Sequence, residues 1–188
     1  MATALLTRTE VNRLSDAGVF EGRRYELIEG NLIDKAGQKP VHAGTLSLVF
    51  LRLAEAYGAA LTRSQLPIEV ATEDRERNEP EPDLAVLAEF RTDYFTRHPR
   101  GDELLLLIEI ADTSGYFDRR VKSALYARAL VREYWVLDIP ARVLYALRHP
   151  SGGAYRQVIQ LAEQETVSPD SRPDAVIEVR ELLPPVDA

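Results

Sequence analysis

The stretch of sequence that decides the fold is LLLLIEIADTS, residues 104–114. It opens with a short apolar run that contains one charged residue, Glu109. A short, continuous run of branched apolar side chains predicts a buried strand. A carboxylate inside such a strand costs several kcal/mol unless it is paired or bound to a metal. Glu109 therefore requires a partner, which is either a metal ion or an Arg or Lys side chain from a helix.

A second apolar run, Leu84 to Leu87, follows Asp83 and the Pro-bounded segment NEPEP at 78–82. If this strand is an antiparallel neighbour of the 104–110 strand, the start of one lies beside the end of the other. Asp83 and Glu109 then face each other at one end of the sheet. Two carboxylates with access to water suit Mg²⁺ or Mn²⁺, which take oxygen ligands and keep several waters. The alternative for Asp83 alone is a turn or strand cap.

Lys122 lies in a predicted helix from Phe117 to Leu130, with Asp118 four residues before it and Tyr126 four residues after it. This spacing places the three side chains on one helix face. A lysine there can reach the end of the preceding strand, where its ammonium would orient a water and offset charge on a phosphate. The alternative, which the residues alone favour, is a surface ion pair between Asp118 and Lys122.

Two further side chains are candidates for the same site. Glu26 lies in RRYELIEGNLID, residues 23–34, which predicts two short strands joined as a hairpin. His42 lies at the start of the helix predicted over residues 41–57, where it could act as a ligand or a proton carrier. The alternatives are simple solvent exposure for Glu26 and a position without catalytic role for His42.

Local patterns predict the remaining elements. Thr7 and Glu10 have the spacing of a capping box, and Gly18 is a stop signal, so a first helix is expected over residues 7–18. The other predictions are a strand at LPIEVA (66–71), an exposed loop at 72–82, a helical turn within 89–103, a buried strand at YWVLD (134–138), a hairpin formed by 143–149 and 155–161, and a last strand or edge at AVIEVREL (175–182).

The composition indicates one intracellular domain. A chain of 188 residues with 45% hydrophobic residues can bury one sizeable core, and we assign residues 1–188 to a single domain with its core over 23–183. The absence of cysteine, of a long apolar run and of a signal-peptide pattern leads us to expect a cytoplasmic protein.

The net charge of −7 argues against a general nucleic-acid-coating surface but allows a local basic groove. Basic residues scattered over a surface are more often simply solvated. The candidates for such a groove are Arg23 with Arg24, Arg97 to Arg100, and Arg119 with Arg120 and Lys122.

The order of these motifs resembles that of the Uma-two family, a branch of the PD-(D/E)XK nuclease superfamily. The resemblance covers nearly the whole chain and rests on YELIEG (25–30), His42, PEPDLAV (80–86), LLLIEIADTS (105–114), FDRRVKSALYARA (117–129) and EYWVLD (133–138).

The superfamily motif maps onto specific positions of this chain. Its two acids correspond to Asp83 and Glu109, and the usual lysine two positions later is replaced by Ala111. The resemblance implies that Lys122 takes over the role of that lysine. Glu26 matches the acid of the first hairpin, and Asp112 stands where relatives usually have a small residue.

The resemblance implies an α/β fold of the α+β type, with a twisted mixed β-sheet flanked by helices. It further implies a Mg²⁺- or Mn²⁺-dependent DNA endonuclease. The metal would be held by Asp83 and Glu109, Glu26 and Lys122 would complete the catalytic set, and His42, Asp118 and Tyr126 would be accessory.

Other functions stay open. A nuclease fold kept as a catalytically inactive binding or assembly module is the alternative, and it predicts scattered or mutually neutralised side chains at these positions. A carboxylate-pair glycosidase ranks last, because aromatic residues make up only 7% of the chain. A homodimer is an option, since nucleases of this type often dimerise and the late hairpin offers strand edges.

Overall fold

A computed structural model describes residues 5–35 and 39–186. Its centre is a six-stranded mixed sheet with strand order β3-β4-β5-β6-β7-β8. The pairing of β5 with β6 is parallel, and the other neighbours in this sheet are antiparallel. The strands of the sheet are β3 (Thr62–Ser64), β4 (Leu84–Leu87), β5 (Leu104–Ala111), β6 (Glu133–Asp138), β7 (Val143–Ser151) and β8 (Ala154–Ala162).

Two small antiparallel sheets accompany it. One is the predicted hairpin of β1 (Tyr25–Ile28) and β2 (Asn31–Asp34), and the other pairs β9 (Thr166–Val167) with β10 (Ile177–Glu178). A bridge between Leu27 and Glu79 attaches the hairpin to the chain segment that leads into β4. The architecture is the mixed α+β fold that the family resemblance implies.

The helices begin and end at recognisable signals. Helix α1 (Arg8–Asp16) starts with the capping box of Thr7 and Glu10, and α2 (Pro40–Tyr57) has proline at its first position and Gly58 as its C-cap. A composite helical segment follows β5: α3 (Gly115–Phe117), a π-helix (Asp118–Lys122) and α4 (Ser123–Arg128). Within the described ranges, no helix is long and apolar enough to span a bilayer.

Strand β5 separates two apolar cores, because successive side chains point to opposite faces of a sheet. Leu106, Ile108 and Ile110 belong to the core that α2 covers. Leu107 and Ala111 belong to the core that α4 covers. Glu109 lies between these last two residues in the alternation, so its carboxylate is on the α4 face.

The strand register brings the two candidate acids together. Leu84 of β4 pairs with Ile108 of β5 in antiparallel register. This is the pairing on which the predicted proximity of Asp83 and Glu109 depends. Asp83 precedes the first residue and Glu109 follows the second, so they are opposite each other at one end of the sheet. The parallel connection from β5 to β6 requires a crossover, and the composite helical segment provides it above this same end.

Four predicted elements differ from the structure. Helix α1 is shorter than residues 7–18, because Thr7 is its cap and the last turn ends before Gly18. Residues 66–71 are not a strand: Pro67 has no N–H to donate, and Glu69 forms only an isolated bridge with Arg100.

The other differences are local. In the segment 175–182 only β10 is extended, and a 3₁₀-helix (Val179–Leu182) follows it. The loop 72–82 contains the short 3₁₀-helix Arg75–Arg77, and the prediction that it is exposed is wrong for its second half, where Asn78 and Glu81 are buried against the hairpin. The helical turn expected within 89–103 is present as the 3₁₀-helix Thr92–Phe95.

A glycine pair tests the packing that holds the start of β5. A Cβ at Gly101 would overlap the backbone carbonyl oxygen of Ala129, whereas a Cβ at Gly44 in α2 would meet nothing within 4 Å. We expect Gly101→Ala to lower the free energy of unfolding by about 1–3 kcal/mol. Gly44→Ala should raise it by about 0.5–1 kcal/mol, since alanine favours a helix. Urea denaturation measures both, and equal stability of the two variants would contradict this packing.

Candidate active site

Asp83 and Glu109 lie side by side at the end of the β4–β5 pair, and both are buried. Asp83 accepts a hydrogen bond on Oδ2 from the backbone N–H of Ile110 at 2.8 Å. The same oxygen lies 3.3 Å from Nε2 of His42, which the first turn of α2 holds over the sheet. Asp83 is therefore fixed by β5 and α2 together.

Lys122 is the cation beneath this pair, and only 2% of the residue is exposed. Its ammonium lies 2.7 Å from Oε1 of Glu26 and 3.0 Å from Oε1 of Glu109. Oδ1 of Asp118 is 3.8 Å away, beyond hydrogen-bonding distance. Lys122 is thus not the surface partner of Asp118 that the sequence alone favours, because the helix carrying it packs directly over Glu109.

Glu26 and Tyr126 complete the cluster. Glu26 is buried rather than solvent-exposed, and its Oε2 accepts a hydrogen bond from the backbone N–H of Glu81 at 3.3 Å. The hydroxyl of Tyr126 donates to Oε1 of Glu109 at 2.8 Å. Both hydrogen bonds to Glu109 therefore end on one oxygen. The expected helix face is present, since Lys122 and Tyr126 approach the same carboxylate.

The two acids titrate differently. Burial works against ionised Asp83, but the hydrogen bond with His42, the charges of Lys35 and His42, and the N–H of Ile110 lower its pKa to about 2. Burial raises the pKa of Glu109 to about 7, although Lys122 and Lys35 oppose this shift. Asp83 is therefore a permanent anion at neutral pH, and Glu109 can exchange a proton.

The surrounding groups respond to the same environment. Burial works against the charged form of Lys122, but Glu109, Glu26 and Asp118 together raise its pKa well above the ordinary value. Burial also works against protonated His42, but its hydrogen bond with Asp83 raises its pKa on balance. Both groups thus favour the cationic form that neutralises the buried carboxylates.

A pocket of about 340 Å³ lies between the hairpin, α2 and the composite helix, and its lining includes Glu26, His42, Asp83, Glu109, Asp118 and Lys122. Lys35 and Lys39 also line it, and sequence reasoning missed both. One signal in the sequence is the rarity of lysine, because the chain has three lysines and twenty arginines. The structure places all three lysines in this pocket.

The donor chemistry of the pocket fits a hard divalent cation. Oδ1 of Asp83 is buried and has no hydrogen-bond partner among the described residues, and Oε2 of Glu109 faces the same side. Within residues 5–35 and 39–186, no three His, Asp or Glu side chains form a metal-binding cluster. Mg²⁺ commonly takes only one or two protein carboxylates and completes its shell with water and phosphate.

The predicted basic groove is mostly neutralised by local acids. Arg97 pairs with Asp93 and Glu103, and Arg24 pairs with Glu81. The basic residues of the composite helix differ, because Arg119 stacks on Tyr145 and Arg120 lies by the ring of Tyr116. The basic side chains that line the pocket itself are His42 and the three lysines.

The fold is that of a nuclease-like protein of the restriction-endonuclease type. A family model described as "Putative restriction endonuclease", Uma2, matches residues 9–180. The chain belongs to this family. No curated protein matches it.

A solved structure has the same fold. It is described as "a putative nuclease belonging to DUF820" from Anabaena variabilis, and it superposes with a TM-score of 0.63 at 16% sequence identity. The match covers 84% of this chain and 88% of the other. The similarity confirms the architecture of the sheet and helices.

The pKa of Glu109 gives the protein a specific pH dependence. Its pKa is about 7 when folded and 4.5 ordinarily, so between these values the folded chain holds a proton that the unfolded chain releases. The contribution of Glu109 to stability therefore falls as the pH rises through this window. We expect Glu109→Gln to gain stability relative to wild type between about pH 5 and about pH 8 in urea denaturation. If the difference in unfolding free energy between Glu109→Gln and wild type is the same at about pH 5 and about pH 8, the raised pKa of Glu109 is contradicted.

Proposed function

We propose that this protein is a metal-dependent DNA endonuclease that hydrolyses phosphodiester bonds. The observation that carries the proposal is the convergence of Asp83, Glu109, Glu26 and Lys122 in one pocket. The family description and the nuclease-like fold support the same reaction class.

Asp83 and Glu109 would hold the metal, Mg²⁺ or Mn²⁺, through the two oxygens that are not hydrogen-bonded to Lys122, Tyr126 or Ile110. When bound, such an ion polarises the scissile phosphate and lowers the pKa of an attacking water. Asp83 is ionised at neutral pH and can therefore act as a metal ligand there. Glu109 must lose its proton to serve as a ligand, so metal binding should strengthen as the pH rises through about 7.

Lys122 has two roles in this proposal. Its hydrogen bonds to Glu26 and Glu109 fix both carboxylates in position. An ammonium has three donors, and Asp118 is too distant to take the third, which leaves one N–H for the attacking water or a phosphate oxygen. There it would orient the nucleophile and offset the charge that develops on the phosphate.

The accessory residues form hydrogen bonds that position the side chains of the site. His42 holds Asp83 from α2, Tyr126 holds one oxygen of Glu109, and Ser114 donates a hydrogen bond to Asp118 at 2.5 Å. These contacts fix the rotamers of buried side chains, and such fixing is what precise metal and phosphate geometry requires.

A DNA substrate is supported by the family description and by exposed basic side chains on the elements that line the pocket. The Lys39 side chain is 63% exposed, and Arg120 is exposed on the composite helix.

A homodimer would use strand β8, which is the outer strand of the six-stranded sheet and leaves one edge open. Light scattering on the purified protein measures the oligomeric state.

One observation favours the alternative, a catalytically inactive binding or assembly module. Lys122 is neutralised by Glu26 and Glu109, and Asp83 is neutralised by His42 and Lys35. Such mutual pairing is what a site kept for structural reasons also requires. Absence of cleavage by the wild-type protein on all DNA forms with either metal would favour this alternative.

The test of the proposal is a cleavage assay on single- and double-stranded DNA with Mg²⁺ or Mn²⁺. We expect Asp83→Asn, Glu109→Gln and Lys122→Met each to lower the rate by about a hundredfold or more, because each removes a charge that the reaction uses.

Asp74→Asn is the matched control. Asp74 is a largely buried acid paired with Arg128 outside this pocket, so its variant should cleave at the wild-type rate. Circular dichroism checks that the variants fold. Equal activity of the wild type and the three pocket variants would remove these residues from the mechanism.

A further inference from the structure

The three lysines of the chain meet three different environments within one pocket. Lys122 is buried beneath the carboxylates, and the Lys39 side chain is mostly exposed and pairs with Asp112. Lys35 lies between these extremes, with 13% of its side chain exposed. A lysine is a compact point charge on a flexible stem, whereas arginine needs room for a planar group. Lys35 can therefore enter a narrow space between two acids and also leave it.

Lys35 is close to two carboxylates but forms no ion pair at hydrogen-bonding distance with either of them. Its Nζ donates to the backbone carbonyl of Glu81 at 3.0 Å. It lies 3.8 Å from Oδ1 of Asp83 and 4.0 Å from Oε2 of Glu109. These distances exceed hydrogen bonds, so the ammonium balances the charge of the two acids without satisfying either oxygen.

Those two oxygens are the ones assigned above to the metal. Because the Lys35 ammonium lies within 4.0 Å of both oxygens, it occupies the region in which the two acids would hold a divalent ion. Two cations beside these acids would repel each other strongly, because both acids are almost fully buried and charges in a buried environment are weakly screened.

The backbone of Lys35 can stay in place while its side chain moves. Its N–H donates to the carbonyl of Arg24 at 2.8 Å, directly after strand β2. The side chain has four rotatable bonds and reaches the pocket from its rim. Only the side chain must therefore swing out to clear the site.

We propose that Lys35 is an internal cation that competes with the metal: its ammonium neutralises Asp83 and Glu109 until a divalent ion displaces it. Lys35 thereby sets the metal concentration at which the site fills. This inference rests on the proposed metal site, and it adds a residue that tunes metal affinity.

The first test is titration of Mn²⁺ into the metal-free protein by calorimetry, at a pH above 7 where Glu109 is ionised. Lys35→Met keeps the length of the side chain and removes the charge, and we expect it to bind Mn²⁺ at least about tenfold more tightly than wild type, or about 1.4 kcal/mol. Lys39→Met is the matched control and should bind as the wild type does. Equal or weaker binding by Lys35→Met would overturn the proposal.

The second test uses the wild-type chain, so it does not depend on the folding of a variant. Amine acylation followed by peptide mass spectrometry reports each of the three lysines separately. We expect Mn²⁺ to speed modification of Lys35, to leave exposed Lys39 unchanged and to leave Lys122 protected. The Asp83→Asn protein should show no such response. Unchanged reactivity of Lys35 on Mn²⁺ binding would overturn the proposal.

The outcomes separate this inference from the proposed function. Equal Mn²⁺ affinity in wild type and Lys35→Met rejects competition by Lys35 and leaves the nuclease proposal intact. Competition by Lys35 without DNA cleavage supports the inference and rejects the nuclease. Absence of Mn²⁺ binding in both proteins rejects both, because there is then no ion to displace the ammonium.

Discussion

The ion-pair network of Glu26, Lys122 and Glu109 joins three parts of the fold that are distant in sequence. It connects hairpin β1–β2, central strand β5 and the helix that crosses from β5 to β6. The ammonium of Lys122 would be costly to bury alone, and the two carboxylates within 3.0 Å of it lower that cost. The hairpin is thus held by this charged contact together with the Leu27–Glu79 bridge and with Ile28, which is buried in the core that α4 covers.

The π-helix explains how one helical segment serves this network. The extra residue in a π turn rotates the following side chains, and such turns are frequent at functional sites. The carbonyl of Asp118 accepts the N–H of Ser123 in the wide turn and also the hydroxyl of Tyr134 at 3.2 Å. A tyrosine from β6 thus supports the turn that directs Lys122 towards Glu109.

Part of the site is readable from local sequence. The single acid in the apolar run of β5 predicts a buried carboxylate that needs a partner. The short apolar run after Asp83 predicts a second strand. Antiparallel pairing then places Asp83 beside Glu109, as the register confirms. The partner of Glu109 is not readable in this way, because Lys122 and Asp118 have the spacing of an ordinary surface pair. Its identity follows from the family resemblance, and its burial follows from the packing of the crossover helix.

The sequence by itself predicted most of the helices and strands, because apolar periodicity and capping residues are local properties of the chain. The order of the motifs carried the resemblance to the family, and that resemblance implied the mixed sheet. Only the tertiary structure decided that Glu26 is buried, that residues 66–71 are not a strand, and that Lys35 lies between the two acids. These features depend on which segments pack against each other, and the electrostatic cost of a charge is set by those neighbours. Lys35 and Glu109 are 74 residues apart in the chain but 4.0 Å apart in the pocket, a proximity that no local pattern encodes.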